Sequence, residues 1–237
     1  MLNYLLASLL LTSGAIASFL LRKLTASASI LGASIGVLLF IGFGWMGITL
    51  MAAFFVLGTL ATSWKRRSKE TLGIAEEDKG RRKCTQVFAN AGGSAIAAML
   101  SILYPDHNML ISLMMCAGFS SATADTLSSE LGSVYGKRFY NILSFKKDRR
   151  GLNGVISLEG TLFGLAGSML IALIALCWFG WKTNTFLIII TAGTAGNLFD
   201  SFLGAAFERK DLIKNDAVNF LNTAFAAAAA YILYLFV

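Results

Sequence analysis

The sequence has little of what keeps a protein soluble. It holds one proline and one histidine among 237 residues, and only 14% of its residues are charged, whereas a soluble domain carries roughly 25%. Hydrophobic residues make up 56% and glycines number 23, and small residues allow helices to pack closely in lipid. Most of this chain cannot face water, which excludes a soluble globular protein. The composition predicts an all-α polytopic membrane protein.

Several kinds of site are also missing. The three cysteines, Cys84, Cys116 and Cys177, are scattered and have no paired spacing, which indicates neither a disulfide framework nor a zinc site. His107 lies in a short turn, and we interpret it as a solvated residue. No P-loop sequence occurs. The apolar runs are continuous rather than alternating, which argues against a transmembrane β-barrel.

Eight apolar stretches are long enough, or nearly so, to cross a membrane, which takes about 20 residues. They lie near residues 2–21, 28–43, 46–63, 85–103, 109–131, 158–180, 184–206 and 216–237. The second and third are short, so 28–63 forms either two spans or one distorted element, and a count of seven stays open. We expect one integral membrane domain over 1–237 and a first span that is retained, because Arg22 and Lys23 follow it rather than precede it.

The basic residues predict the orientation. With eight spans and the N-terminus outside, all of the 20 Lys and Arg residues except Lys182 fall on one face, and the positive-inside rule makes that face cytoplasmic. Both termini are then outside. The basic loops 64–84, 132–157 and 207–215 are cytoplasmic, and basic loops of this kind also contact anionic lipid.

Polar residues form stripes at helical spacing near that face in five of the spans. The stripes contain Gln86 and Asn90; Asp125, Ser129 and Gly132; Ser157 and Gly160; Asn197 and Asp200; and Asn215 and Asn219, with Asp216 beside them. Because all five lie at one depth, we expect a shared polar cavity. Carboxylates at such a place are costly and are functional candidates, although the glycines equally fit helix packing.

The residue types indicate a chemistry. Oxygen ligands without His or Cys suit Mg²⁺, which usually binds one or two carboxylates together with substrate phosphates. Asp125 and Asp200, with Glu130, are the predicted metal ligands. Basic loops over such a pocket suit a nucleotide or a phosphorylated lipid and favour phosphoryl transfer. The spacing from Asp125 through Gly132 to Gly136 and Lys137 would place a backbone nest and a lysine beside phosphate.

Three sequence blocks resemble a known membrane family, and the similarity covers nearly the whole chain. The blocks are GRR at 80–82 with QVFANAGG at 86–93; ATADTLSSELG at 122–132 with GVISLEGT at 154–161; and DSFLGA at 200–205 with NDAVNF at 215–220. The family includes transmembrane protein 19 and the plant chloroplast phytyl-phosphate kinase, and is distantly similar to the CTP-dependent dolichol and phytol kinases. Asn153 stands where relatives often carry an acid.

The resemblance implies a CTP-dependent kinase that converts an isoprenoid monophosphate, of phytyl or geranylgeranyl type, into the diphosphate. The expected catalytic residues are Asp125, Glu130, Asp200 and Lys137. The expected substrate-binding residues are Lys65, Arg66, Arg82, Gln86, Asn90, Ser129, Gly132, Arg150, Asn153, Gly154, Ser157, Glu159, Asn197, Asn215, Asp216 and Asn219. We expect Mg²⁺ as cofactor, CTP and a lipid phosphate as partners, no nucleic acid, the inner (plasma) membrane as location, and either a monomer or a homo-oligomer.

Other functions remain open at this stage. A lipid alcohol kinase would take an alcohol acceptor, which needs a general base, and Asp125 or Glu130 would be the candidates. A cytidylyltransferase would use the same substrates as the monophosphate kinase, and it would release pyrophosphate instead of CDP. Intramembrane carboxylates also bind coupling ions in transporters, but the polar stripes do not continue to the outer face and no inverted repeat is evident. A purely structural membrane protein would leave the acids and asparagines without a role.

Overall fold

The computed structural model describes residues 1–75 and 78–236, so Glu76 and Glu77 of the predicted loop 64–84, and Val237, lie outside the described residues. Helices form almost all of the regular structure. They are α1 (Leu2–Leu20), α2 (Ala26–Phe43), α3 (Trp45–Ser63), α4 (Arg66–Thr71), α5 (Cys84–Leu103), α6 (Asn108–Tyr135), α7 (Leu158–Phe179), α8 (Thr183–Ala206) and α9 (Asn215–Tyr234). Short 3₁₀ turns cover Asp78–Gly80, Pro105–His107 and Glu208–Lys210.

Within the described part of the chain, eight helices are long and apolar enough to cross a membrane, all of those above except the short α4. This confirms the predicted all-α polytopic fold and the count of eight. It also settles residues 28–63, which form two helices joined at Gly44. That glycine takes a left-handed backbone, with φ +62°, and a Cβ on Gly47 would lie 2.8 Å from the carbonyl oxygen of Leu39. α2 and α3 therefore fold back on each other as a tight hairpin.

Helix α6 is the centre of the bundle. It packs against α3, α5, α7, α8 and α9, and 78% of the residues in its most apolar 18-residue stretch are buried. Its 28 residues extend for about 42 Å at 1.5 Å per residue, whereas a bilayer's hydrocarbon core is about 30 Å thick. The C-terminal part of α6 therefore reaches the end of the bundle where the loops 64–84 and 132–157 lie.

The loop between α6 and α7 is folded rather than extended. Two short antiparallel strands, β1 (Tyr140–Asn141) and β2 (Val155–Ile156), pair Tyr140 with Ile156. Gly154, at φ +70°, lies directly on α8, where a Cβ on Gly204 would come within 2.9 Å of its backbone nitrogen. The loop is thus held over the end of the bundle. α7 then begins with Ser157, whose hydroxyl accepts a hydrogen bond from the backbone N–H of Gly160 at 3.1 Å, as N-cap residues do.

The segment before α5 is held in place by the connection between α1 and α2. Its Arg82 exchanges backbone hydrogen bonds with the α1–α2 connection, accepting from Thr25 and donating to Lys23. The guanidinium of Arg81 also donates to the carbonyl of Leu24 at 3.1 Å. The α1–α2 connection therefore helps to orient the basic residues that precede α5.

Candidate active site

A polar cavity of about 730 Å³ opens at one end of the bundle. It lies between the C-terminal ends of α3, α6 and α8 and the N-terminal ends of α5, α7 and α9, and its rim is formed by residues from 74–75, 78–83 and 151–157. Fifteen of the sequence-predicted site residues line this cavity. They are Arg82, Gln86, Asn90, Asp125, Ser129, Glu130, Gly132, Asn153, Gly154, Ser157, Asn197, Asp200, Asn215, Asp216 and Asn219.

Three helices start at the cavity, and their first turns form part of its wall. Thr85 and Gln86 belong to α5, Gly160 to α7, and Asn215 and Asp216 to α9. The N-terminus of a helix carries a partial positive charge and unpaired N–H groups, which makes it a ready site for phosphate. Three such ends around one cavity favour a ligand with several phosphate groups.

Asp125 of α6 and Asp200 of α8 form a carboxyl pair in the cavity wall. Their side chains lie within hydrogen-bonding distance of each other. The Oδ2 of Asp200 also accepts a hydrogen bond from the fully buried Asn222, at 2.6 Å, and the Oδ1 of Asn222 accepts from Ser121 at 3.1 Å. Two carboxyl groups this close repel each other when both are ionised, so they share a proton or attract a cation.

Close helix packing brings α6, α7 and α8 together near this pair. A Cβ on Gly132 would lie 2.6 Å from the Cα of Gly160, and one on Gly164 would lie 2.5 Å from the amide nitrogen of Asn197. No side chain fits at either position without moving backbone or a buried amide. These glycines therefore pack helices and also set the width of the cavity.

Glu130 has a different environment from the carboxyl pair. Its Oε2 accepts a hydrogen bond from the ammonium of Lys69 on α4 at 2.5 Å, and only 1% of the Lys69 side chain is exposed. The same ammonium donates to the carbonyl of Ala61, 2.8 Å away in the last turn of α3. Although Glu130 lines the cavity, its charge is neutralised by a lysine that joins α3, α4 and α6.

The cavity rim carries four cationic side chains, from Arg81, Arg82, Lys83 and Lys214. The guanidinium of Arg82 lies 5.2 Å from the centre of the Phe54 ring, and a Cβ on Gly58 would meet it at 2.5 Å. The glycine in α3 thus leaves room for the arginine. Lys83 and Lys214 directly precede α5 and α9, so their charges add to those of two helix N-termini.

Five of the residues predicted to catalyse or to bind substrate do not line the cavity. Lys65 lies over the ring of Tyr135 at 4.6 Å, and Arg66 forms an ion pair with Glu70 at 2.7 Å. The backbone N–H of Lys137 donates to Glu159 at 3.3 Å; Lys137 is exposed and Glu159 is half-buried. Arg150 donates to the carbonyl of Gly136 at 3.0 Å. Their positions indicate structural roles in the loops.

Sequence reasoning missed three features of the site. Lys69 is one of several basic residues in the loop 64–84, and nothing in its spacing indicates a buried ion pair. Lys214 was counted only toward the orientation, although its place just before the Asn215 stripe could have identified it. Glu208, which follows the Asp200 stripe by two turns, was not considered and also lines the cavity.

The site fits Mg²⁺ with fewer protein ligands than predicted. Among the described residues no group of three or more His, Cys, Asp or Glu side chains comes close enough to hold a metal ion. Asp125 and Asp200 lie together, whereas Glu130 is paired with Lys69. Two carboxylates are enough for Mg²⁺ where substrate phosphates and water complete its shell. Asp125 and Asp200 are therefore the two side chains that could hold the ion together.

Comparisons with known proteins place the chain among integral membrane proteins. Protein VTE6, chloroplastic, of Arabidopsis thaliana is 35% identical over 92% of this chain and 67% of its own length. A membrane protein of Synechocystis sp. is 33% identical over 83% of the chain and 77% of its own length. A membrane protein of Methanocaldococcus jannaschii is 32% identical over 86% of the chain and 84% of its own length.

No solved structure matches this chain. A family model, "Integral membrane protein DUF92", matches residues 9–227. This range includes every residue that lines the cavity, and the match confirms the resemblance seen in the sequence. The chain is a multi-pass integral membrane protein and belongs to the DUF92 family.

Proposed function

We propose that the protein is a CTP-dependent kinase that phosphorylates an isoprenoid monophosphate, of phytyl or geranylgeranyl type, to the diphosphate with the help of Mg²⁺. One observation supports this most directly. A carboxyl pair lies in the same cavity as three helix N-termini and four basic side chains. Phosphoryl transfer needs this combination, because its catalysis consists mainly of positioning phosphates and neutralising their charge.

In this proposal the phosphates of the nucleotide lie at the starts of α5, α7 and α9. The N–H groups of these first turns donate to phosphate oxygens, and Arg82, Lys83 and Lys214 neutralise their charge. Asp125 and Asp200 would hold Mg²⁺, which supplies charge stabilisation where the phosphoryl group is transferred. Lys137 has no part in this mechanism, because it does not line the cavity.

The acceptor provides its own nucleophile. A phosphate monoester has a second pKa of about 6, so near pH 7 it is an oxyanion. One of its oxygens forms the bond to the γ-phosphorus of CTP, the bond from that phosphorus to the β–γ bridging oxygen breaks, and CDP leaves. No general base is needed for such an acceptor.

The basic loops also support an orientation. We propose that the cavity faces the cytoplasm from the inner (plasma) membrane, where nucleotide is available, since the positive-inside rule places the loops 64–84 and 132–157 on that side.

An assay of the purified protein tests the function. Protein in detergent or liposomes is supplied with CTP, Mg²⁺ and geranylgeranyl or phytyl phosphate, and lipid and nucleotide products are separated. We expect lipid diphosphate and CDP in equal amounts, and no product when EDTA replaces Mg²⁺. Release of pyrophosphate would instead identify a cytidylyltransferase. Absence of a phosphorylated lipid with every nucleotide would overturn the proposal.

A further inference from the structure

A second, apolar groove of about 510 Å³ lies beside the polar cavity. It runs between the first turns of α5 and α9, with Leu31 of α2 at its side. The rings of Phe88 and Phe220 stack in its wall, 5.7 Å apart and 3° from parallel. Phe88 is half exposed, so this surface faces outward and is not part of the core. The volume is within the roughly 300–1,000 Å³ typical of small-molecule sites.

The groove is continuous with the polar cavity. Thr85 and Asp216 line both, one at the start of α5 and the other at the start of α9. A molecule that lay along the groove would therefore pass between two helix N-termini and reach the cationic rim. The polar cavity suits phosphates, and the groove offers almost only apolar surface.

Together these features fit one kind of occupant, an amphiphile with a phosphate at one end and a long hydrocarbon chain at the other. We infer that the groove between α5 and α9 binds the isoprenoid chain of the substrate and is its entrance from the membrane. This inference rests on the proposed function and deepens it by locating the lipid part of the substrate. The isoprenoid methyl groups pack against Phe88 and Phe220 while the phosphate lies beyond Thr85.

Cys84 makes the inference testable without turnover. Its thiol lines the groove and is partly exposed, whereas Cys177 is exposed on α7 and lines neither cavity. The experiment measures the rate at which N-ethylmaleimide modifies each cysteine in the detergent-solubilised protein. Geranylgeranyl phosphate at about ten times its Kd should slow modification of Cys84 by about tenfold and leave the rate for Cys177 unchanged. Inorganic phosphate and geranylgeraniol at the same concentration should protect Cys84 far less.

A matched pair of variants tests where the hydrocarbon chain of the lipid binds. Ala217 lines the groove and is exposed; Ala228, three turns further along α9, is also exposed but does not line it. For each variant, the rate of Cys84 modification with lipid is compared with the rate without lipid. We expect Ala217→Trp to abolish protection and to raise KM for the lipid phosphate without changing KM for CTP, and Ala228→Trp to behave as the unaltered protein.

The outcomes separate this inference from the proposed function. Protection of Cys84 that Ala217→Trp removes, in a protein without kinase activity, would support the groove and overturn the kinase proposal. If the protein turns over substrate but the lipid does not protect Cys84, and the two variants have equal KM values for the lipid phosphate, the inference about the groove is overturned and the kinase proposal is not. Equal protection by geranylgeraniol would also overturn it, because the chain would then bind without reaching the polar cavity.

Discussion

Two acidic residues on α6 have opposite surroundings, although only five positions separate them. Glu130 meets the buried ammonium of Lys69 at 2.5 Å. Asp125 meets another carboxyl group, that of Asp200 on α8. In the first region the charges balance within the protein and join three helices. In the second region, two groups of like charge are brought together, and this lowers the stability of the fold. A functional role would explain why such a pair is present. Burial of an acid alone therefore does not identify a catalytic residue.

The largest expected effect is on the carboxyl pair. Asp125→Asn or Asp200→Asn keeps the size of the side chain but removes a charge that would hold the proposed Mg²⁺, so kcat should fall by about 10²–10³-fold, as when one preorganised electrostatic contact is lost. Initial rates of lipid diphosphate formation measure this, with unfolding in detergent as the check on the fold. The fold should be retained.

Asp106→Asn is the matched control. Asp106 is an exposed acid in the turn between α5 and α6, at the other end of the bundle from the cavity, and its substitution should leave kcat unchanged. Full activity in Asp125→Asn would remove the distinction between the two acidic regions.

The next largest effect concerns Lys69 and Glu130. Glu130→Gln or Lys69→Met leaves the partner buried without its counter-charge, and we expect each to lower the free energy of unfolding by about 3 kcal/mol. Denaturant titration of the protein in mixed micelles measures the loss. Asp125→Asn, measured in parallel, should lose no stability.

The double variant Lys69→Met with Glu130→Met sharpens this prediction. Because both charges are removed together, it should lose much less than the sum of the two single losses. Additive losses would mean that the two side chains stabilise the bundle independently and not as an ion pair.

The spans and the carboxyl pair were predictable from the sequence for a physical reason. Apolar runs of nearly 20 residues have few alternatives to membrane helices, and the helical repeat brings polar residues onto one face. Asp125 and Asp200 lie near the same end of neighbouring helices, so their stripes converge once the helices pack. The sequence does not predict the tight hairpin at Gly44, because two short apolar runs do not show whether a turn or a distortion joins them.

The positions of the loop residues could not be predicted in this way. The basic run at 65–69 has the composition of a solvated loop, yet α4 turns Lys69 inward while Lys65 stays at the surface. Lys137 follows Asp125 at a suggestive spacing, but the chain bends at Gly136 and the lysine lies outside the cavity. Tertiary packing determines where such side chains lie, and the spacing of residues along the sequence carries no information about that packing.

The smallest expected effect concerns a third acid, in the loop over the cavity. Asp148 pairs with Arg209 at 2.7 Å, and its pKa is lowered first by the backbone N–H of Arg149 and then by the Arg209 guanidinium. A lowered pKa stabilises the fold above the unfolded value of about 3.9 and ceases to do so as pH falls through the folded pKa. The stability difference between the native protein and Asp148→Asn should therefore be constant at neutral pH and shrink below about pH 4.

Unfolding midpoints of both proteins between pH 7 and pH 3 measure this difference. In the Arg209→Ala background the pH dependence should be weaker but still present, because the Arg149 N–H remains. Parallel curves for the native protein and Asp148→Asn would show that this contact does not stabilise the loop.

The length of α6 has an electrical consequence. Asp125 lies about 26 Å along the helix from Asn108 at 1.5 Å per residue, near the end where the cavity opens. A nucleotide would enter and leave by that same end, so none of its charge would complete a passage through the bilayer. Moving one elementary charge across 100 mV is worth about 2.3 kcal/mol. A reaction at this place in the bundle avoids that cost and should proceed at the same rate whatever the membrane voltage.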